Sequence, residues 1–192
     1  MSKRTIIIEK AIELFQKQGI DKTTVSHIVK AGNMAQGTFY LYFPSKMALM
    51  PAIAEEMVKI MMADIKAKVT GKEAIPVQLE TIVERIFFIN EKYRDVLAMI
   101  YAGLSQTEHL KEWEAVYEPC YDWVTEVIEK GQADGSIMSE VEAKQSAKLL
   151  IGLVESSAEQ VYLYAHTDEQ EVERQKEAVK QFLFHALQVK LN

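Results

Sequence analysis

Apolar residues recur along almost the whole chain at intervals of three and four, the spacing that gathers them on one side of an α-helix. Ile8, Ala11, Ile12 and Phe15 make the first such stripe. Gly19 follows as its stop, since glycine enters left-handed backbone without steric cost. Thr24 stands where a hydroxyl can cap a short second helix with Val25, Ile28 and Val29 on its apolar face. Ala31-Gly32-Asn33 reads as a tight turn, and a third short helix is predicted over about 35–43, ended by Pro44. Ser45 then caps a long fourth helix to about Lys68, which Pro51, lacking an N–H, is expected to bend. After the Thr70-Gly71-Lys72 loop, helical patterns continue at Ile75–Tyr93, Asp95–Leu104 and Glu108–Tyr117. Others run from Cys120 to about Ala133, with Pro119 as an interruption, and over Glu140–Ala165 and Glu169–Val189. Strand-like alternation is nowhere sustained, and the predicted fold is all-α.

Composition narrows the class. Only 8 glycines and 4 prolines occur in 192 residues, which favours long regular elements. No apolar run approaches the roughly 18 residues needed to cross a bilayer, so no membrane partner is expected. Cys120 is the single cysteine, which rules out an intrachain disulfide and fits a reducing, cytoplasmic setting. The net charge of −6 argues against nucleic acid until its distribution is considered. Residues 1–46 hold seven basic side chains against three acidic ones, whereas the remainder holds 15 against 25. A basic head on an acidic body suggests that the head faces a polyanion.

Three short helices with two tight turns in a basic stretch make a helix-turn-helix candidate, because a major groove admits one α-helix and a second can brace it across the backbone. In the reader, Phe39 and Phe43 are four apart and face the core, which turns Gln36, Thr38, Tyr40 and Tyr42 outward. Gln can pair bidentately with an adenine edge, and Tyr and Thr hydroxyls suit phosphate oxygens. Gly37 lets the backbone approach a duplex closely, and Lys46 offers a phosphate a charge near a helix N-terminus. Each has a plainer alternative: Thr24 as a cap alone, Tyr40 and Tyr42 packed between helices, Gly37 as a weak helix residue.

Through Gly19-Ile20, Thr23-Thr24-Val25, Ile28, Ala31-Gly32 and above all Gly37-Thr38-Phe39-Tyr40-Leu41-Tyr42-Phe43-Pro44-Ser45-Lys46, the chain resembles the TetR family of bacterial regulators. The resemblance covers about the first quarter. It implies a helix-turn-helix DNA-binding domain over 1–46, a linking helix over 45–68, and a ligand-binding and dimerisation body over 69–192. Carried onto matching positions, the family's DNA contacts are Thr24, Ser26, Gln36, Gly37, Thr38, Tyr40, Tyr42 and Lys46, with Ser26 the weaker. Ala35 departs from the Ser that often caps the reader, and Asn33-Met34 from the usual Gly-Val.

The resemblance also implies a homodimer sealed by the last two helices, with a palindromic DNA operator and a small-molecule effector as partners and release of DNA on ligand binding. The stripes available for that seam include Ile151, Val154, Ala158 and Val161 on one helix and Val179, Phe182, Leu183 and Ala186 on the next; the chain's own core competes for them. Soft and aromatic side chains suggest a sensor pocket from Met57, Met61, Phe87, Tyr101, Trp113, Tyr117, Tyr121 and Glu155, with ordinary packing as the alternative. No Glu-x-x-His or His-x-x-x-His pair, phosphate-cradling loop or nucleophile elbow occurs. No metal, cofactor or turnover is therefore expected. The competing function is an all-α enzyme or small-molecule carrier without DNA binding.

Overall fold

The computed structural model describes residues 1–104, 110–164 and 168–190, with the backbone alone over 102–104 and 110–114. Among them every regular element is helical. The chain forms two compact units: Met1–Lys59 with Tyr93–Glu114, and Ile60–Lys92 with Ala115–Asn192.

The first unit opens with α1 (Lys3–Gln18). Ser2 caps it by accepting from the Thr5 amide at 3.1 Å, and Gly19 ends it at φ 79°. Its stripe is buried as expected, with Ile7, Ile8, Ala11, Ile12 and Phe15 inside. α2 (Val25–Ala31) and α3 (Gln36–Tyr40) follow. In the turn between them Asn33, not Gly32, takes the left-handed conformation, at φ 53°. Gly32 has a different use: a Cβ there would stand 2.6 Å from Met34 Cε and 3.2 Å from Ile6 Cγ2, so its absence lets the turn close onto α1. α6 (Arg94–Leu104) packs against α1.

α4 (Met50–Lys68) gives its first half to this unit and its second half to the other. Pro51 does not lie in the helix interior, where a bend is expected. Pro51 is the second residue of the helix, behind a 3-10 turn at Met47–Leu49 that Ser45 caps through the Ala48 amide at 3.2 Å. In a first turn the missing N–H has no intrahelical carbonyl to serve, so the ring starts the helix rather than kinking it. Pro119 gives a second correction. α7 runs unbroken over Leu110–Ala133 with the proline inside. The carbonyl four residues earlier, deprived of its partner, belongs to exposed Ala115, where water can serve it.

In the second unit α5 (Ile75–Lys92) packs against α8 (Ala143–Glu159) and α9 (Glu169–Ala186). A short π turn, Gln160–Tyr164, extends α8. Lys176 and Lys180 of α9 both pair with Glu84 of α5. Asp64 holds Arg85 bidentately at 2.6 and 3.1 Å, tying the end of α4 to α5. Burial pulls the Glu84 carboxyl up, but Lys180 and Lys176 outweigh it and hold it below its ordinary value.

Of the residues read as a dimer seam, Ile151, Val154, Ala158, Val161, Val179 and Leu183 are buried within this single chain as part of its core. Phe182, at 62% exposed, and Ala186 remain on the surface. The solvent side of α8 carries a different row, Leu149 (74% exposed), Gly152 and Ser156.

Candidate DNA-binding surface and sensor site

α2 is pinned at its start. Thr24 Oγ1 accepts from the His27 amide at 3.2 Å, and His27 Nδ1 stands 3.4 Å from the Thr24 amide, completing a reciprocal capping box. Glu or Gln usually fills this third helical position. A histidine supplies the acceptor without a negative charge at the helix end that would meet phosphate.

α3 is only five residues long, and Ala35 gives it no side-chain cap. Two rings hold it. Phe39 is fully buried and Phe43 nearly so, with centroids 5.7 Å apart. Their burial turns the rest of the reader outward. Gln36, Gly37, Tyr40 (52% exposed) and Tyr42 are at the surface, and Thr38 is half-buried. The Tyr40 ring leans edge-on against Phe39 at 5.4 Å, which orients it while leaving its surface free. Thr24 and Ser26 are exposed at the start of α2. Gly37 is not in left-handed backbone, and a Cβ added there would meet nothing within 4 Å. Nothing inside the chain calls for a glycine.

Lys46 is engaged within the chain. Its ammonium donates to the carbonyls of Ile20 at 2.7 Å and Thr23 at 2.9 Å, so two of its three N–H groups already bind backbone. Two further residues join the surface. Leu41, 81% exposed between the tyrosines, offers an apolar contact. Arg4 stands over the Phe43 ring at 5.6 Å, bringing a cation from α1 to the end of the reader. Leu41 was legible within the Phe-Tyr-Leu-Tyr-Phe run; Arg4 was not, since 39 positions separate it from Phe43.

The residues suggested for a pocket are divided between the two units. Met57 and Tyr101 belong to the first unit, and Met61, Phe87, Tyr117, Tyr121 and Glu155 to the second. Trp113 lies outside the residues whose side chains are described. Phe87 contacts Tyr162 at 6.2 Å and lies under the Lys176 ammonium at 6.0 Å. Tyr117 and Tyr121, one turn apart on α7, stack at 6.0 Å, with Lys148 of α8 at 5.2 Å from the Tyr121 ring. Tyr117 also hydrogen-bonds Glu155 of α8. The Glu155 residue is half-buried, but its carboxyl is enclosed by protein. Burial pushes this carboxyl up to about 8 and Glu159 one turn on adds to the rise, while the Tyr117 bond opposes it. Cys120, beside them, is buried, and its thiol is pushed up to about 12, mainly by burial and then by Glu155, which favours the neutral thiol over the thiolate. Among the described residues no group of three or more His, Cys, Asp or Glu could hold a metal, and no helix is long and apolar enough to cross a membrane.

Known proteins match both halves of the chain. Residues 7–53 fit the family "Bacterial regulatory proteins, tetR family", and residues 79–187 fit "Tetracyclin repressor-like, C-terminal domain". YvdT, an uncharacterized HTH-type transcriptional regulator of Bacillus subtilis (strain 168), is 37% identical over 181 residues, 94% of this chain and 93% of that protein. Among solved structures, Thermus thermophilus FadR, a TetR-family transcriptional repressor in complex with lauroyl-CoA, superposes with a TM-score of 0.71 at 20% identity, covering 99% of this chain and 97% of that one. A transcriptional regulator from Saccharomonospora viridis in complex with choline gives 0.72 at 19% identity, covering 98% of each. An exposed reader on a helix-turn-helix head, a family match on both halves and a relative alike over nearly the full length together place the chain in the tetR family of bacterial regulatory proteins, as a DNA-binding transcriptional regulator.

Proposed function

We propose that the protein is a homodimeric repressor that holds a palindromic operator and releases it when a small molecule binds the body. The observation that carries this reading is the reader surface: Gln36, Tyr40 and Tyr42 are outward, and Gly37 is a glycine with no intrachain reason to be one. Direct base contacts fall to Gln36 and Thr38, and phosphate contacts to Thr24, Ser26, Tyr40 and Tyr42. Two readers on one face of a duplex need half-sites about 34–36 Å apart, or a multiple of that. The test is selection of bound sequences from random duplexes. A recovered inverted repeat is the expected result. Binding to every duplex alike, falling with salt and without sequence preference, would sink it.

The dimer face proposed here replaces the one read from the apolar stripes. It is the outward side of α8 and α9, where Leu149, Gly152 and Ser156 share one helical face and Ala178, Phe182 and Ala186 another. A Cβ at Gly152 would meet nothing within 4 Å, so this exposed mid-helix glycine leaves room for a second copy's backbone. An isologous contact doubles every substitution. Leu149→Glu with Phe182→Glu is expected to convert dimer to monomer in sedimentation at unchanged helical content; a dimer of undiminished stability would refute this face.

For the effector, we place the site at the Tyr117–Tyr121 stack and Glu155. The two ligand-bound relatives hold an acyl-CoA and choline, an anion and a cation, so their shared fold does not choose a ligand class. A ligand preferring one dimer state by 1–3 kcal/mol changes operator affinity about 5- to 150-fold. α4, continuous from the first unit into the second, is the covalent route for that coupling.

A further inference from the structure

The geometry points to Lys46 as a positioning residue, which ties the turn before α2 to the segment after α3 and so sets the two helices for DNA, in place of the phosphate contact its position suggests. This rests on the DNA-binding reading of the head.

The turn at residues 19–24 is closed by hydrogen bonds. Thr23 is fully buried, and its hydroxyl donates to the Gly19 carbonyl at 2.7 Å. Gln18 Nε2 lies 3.1 Å from Thr23 Oγ1 and 3.2 Å from the Lys22 carbonyl. The Ile20 carbonyl accepts from the Thr23 amide at 3.1 Å with a lone pair to spare, and the Thr23 carbonyl still needs a partner, since a half-buried backbone acceptor left without one is costly. Lys46 serves both, from 26 and 23 residues away. The next residue after Thr23 is Thr24, whose hydroxyl caps α2. At the other end of the link, Lys46 follows Phe43 by three positions, and Phe43 anchors the reader. The ammonium therefore joins the start of the bracing helix to the end of the reading helix. Among the described residues no other hydrogen bond joins those two segments. Two carbonyl bonds leave one N–H, so a phosphate that drew more than that single donor from the ammonium would have to displace them.

The two roles differ in salt dependence. A lysine that neutralises a phosphate releases a counterion, so removing it lowers the slope of log affinity against log salt by about 0.9 per contact, or about 1.8 for two heads. A positioning lysine misplaces other contacts without changing how many phosphates are neutralised at its own site. Operator affinity is measured across a salt series for the native protein, Lys46→Met and Lys46→Gln, using a duplex recovered by the selection above. Each protein is assayed where a denaturant titration shows it fully folded. Positioning predicts a loss of about tenfold at every salt concentration, with parallel lines, and faster amide exchange at Thr24 and His27. Lys46→Gln, which keeps an uncharged donor, loses the same or less, and it decides the matter if Lys46→Met does not fold. A slope that drops by about 1.8 assigns Lys46 to phosphate and overturns the inference. Unchanged affinity in folded variants also overturns it, leaving only a stabilising bond. A native protein that prefers no duplex overturns the regulator reading itself, and the clamp with it.

Discussion

Replacing Gly37 by alanine is expected to strengthen the fold and weaken operator binding in the same molecule. Glycine within a helix costs about 0.5–1 kcal/mol relative to alanine, partly through the freedom it gives the unfolded chain. At Gly37 the backbone is not left-handed and the new methyl has open space, so that gain meets no strain. The affinity change has the opposite sign. A methyl on the outward side of α3 holds the reader back from the groove, and good base contacts are worth about 1–3 kcal/mol each. With one reader in each half-site, the loss is about 2–6 kcal/mol for the dimer. Chemical denaturation and operator titration on the same preparation check both signs. A variant that binds as tightly as the native protein would mean that no duplex approaches residue 37.

The second large effect concerns Glu155. Its folded pKa, about 8, lies above the ordinary carboxyl value of 4.5, chiefly through burial. The folded chain therefore keeps a proton that the unfolded chain gives up as pH rises past its ordinary value. Between the two values the native state binds more protons, so stability falls with rising pH by up to about 1.4 kcal/mol per unit and levels off above the higher value. Glu159, Tyr117 and Cys120 face the group and are retained in a Glu155→Gln variant. Gln carries no titrating proton and still offers Tyr117 an acceptor. Urea unfolding at pH 5, 6.5 and 8 is expected to show the native protein losing stability relative to Glu155→Gln, with the variant ahead by about 2–4 kcal/mol at pH 8. Parallel profiles would show that the carboxyl is solvated and ordinary.

Periodicity located the helices well where one face alone is buried. Ile8, Ala11, Ile12 and Phe15 read as a stripe and are one. It failed where the cause lies outside the local pattern. Pro51 and Pro119 both read as breakers, because the sequence shows a missing N–H but not whether its carbonyl partner needs it. The first sits in an opening turn and the second opposite exposed Ala115. A seam is hard to read from sequence for a related reason. An apolar stripe announces burial without saying what covers it: α8, which packs on α5, has Ile151 and Val154 buried within the chain. Leu149 and Gly152 lie off that stripe and passed unnoticed. The outward set on α3 was legible because Phe39 and Phe43, four apart, set its rotation. The bonds of Lys46 were not, since residues 20 and 23 become its neighbours only through the fold.

The five-residue reader has a consequence of its own. A lone helix under two turns does not persist in water, and Ala35 adds no cap to help it. The shape presented to a groove is thus maintained by two phenyl rings seated in the head, not by the peptide that carries the recognition groups. Outward positions can be exchanged for other side chains with little penalty to folding, so new target sequences lie a few substitutions away, whereas any loosening beneath Phe39 and Phe43 erases every specificity at once.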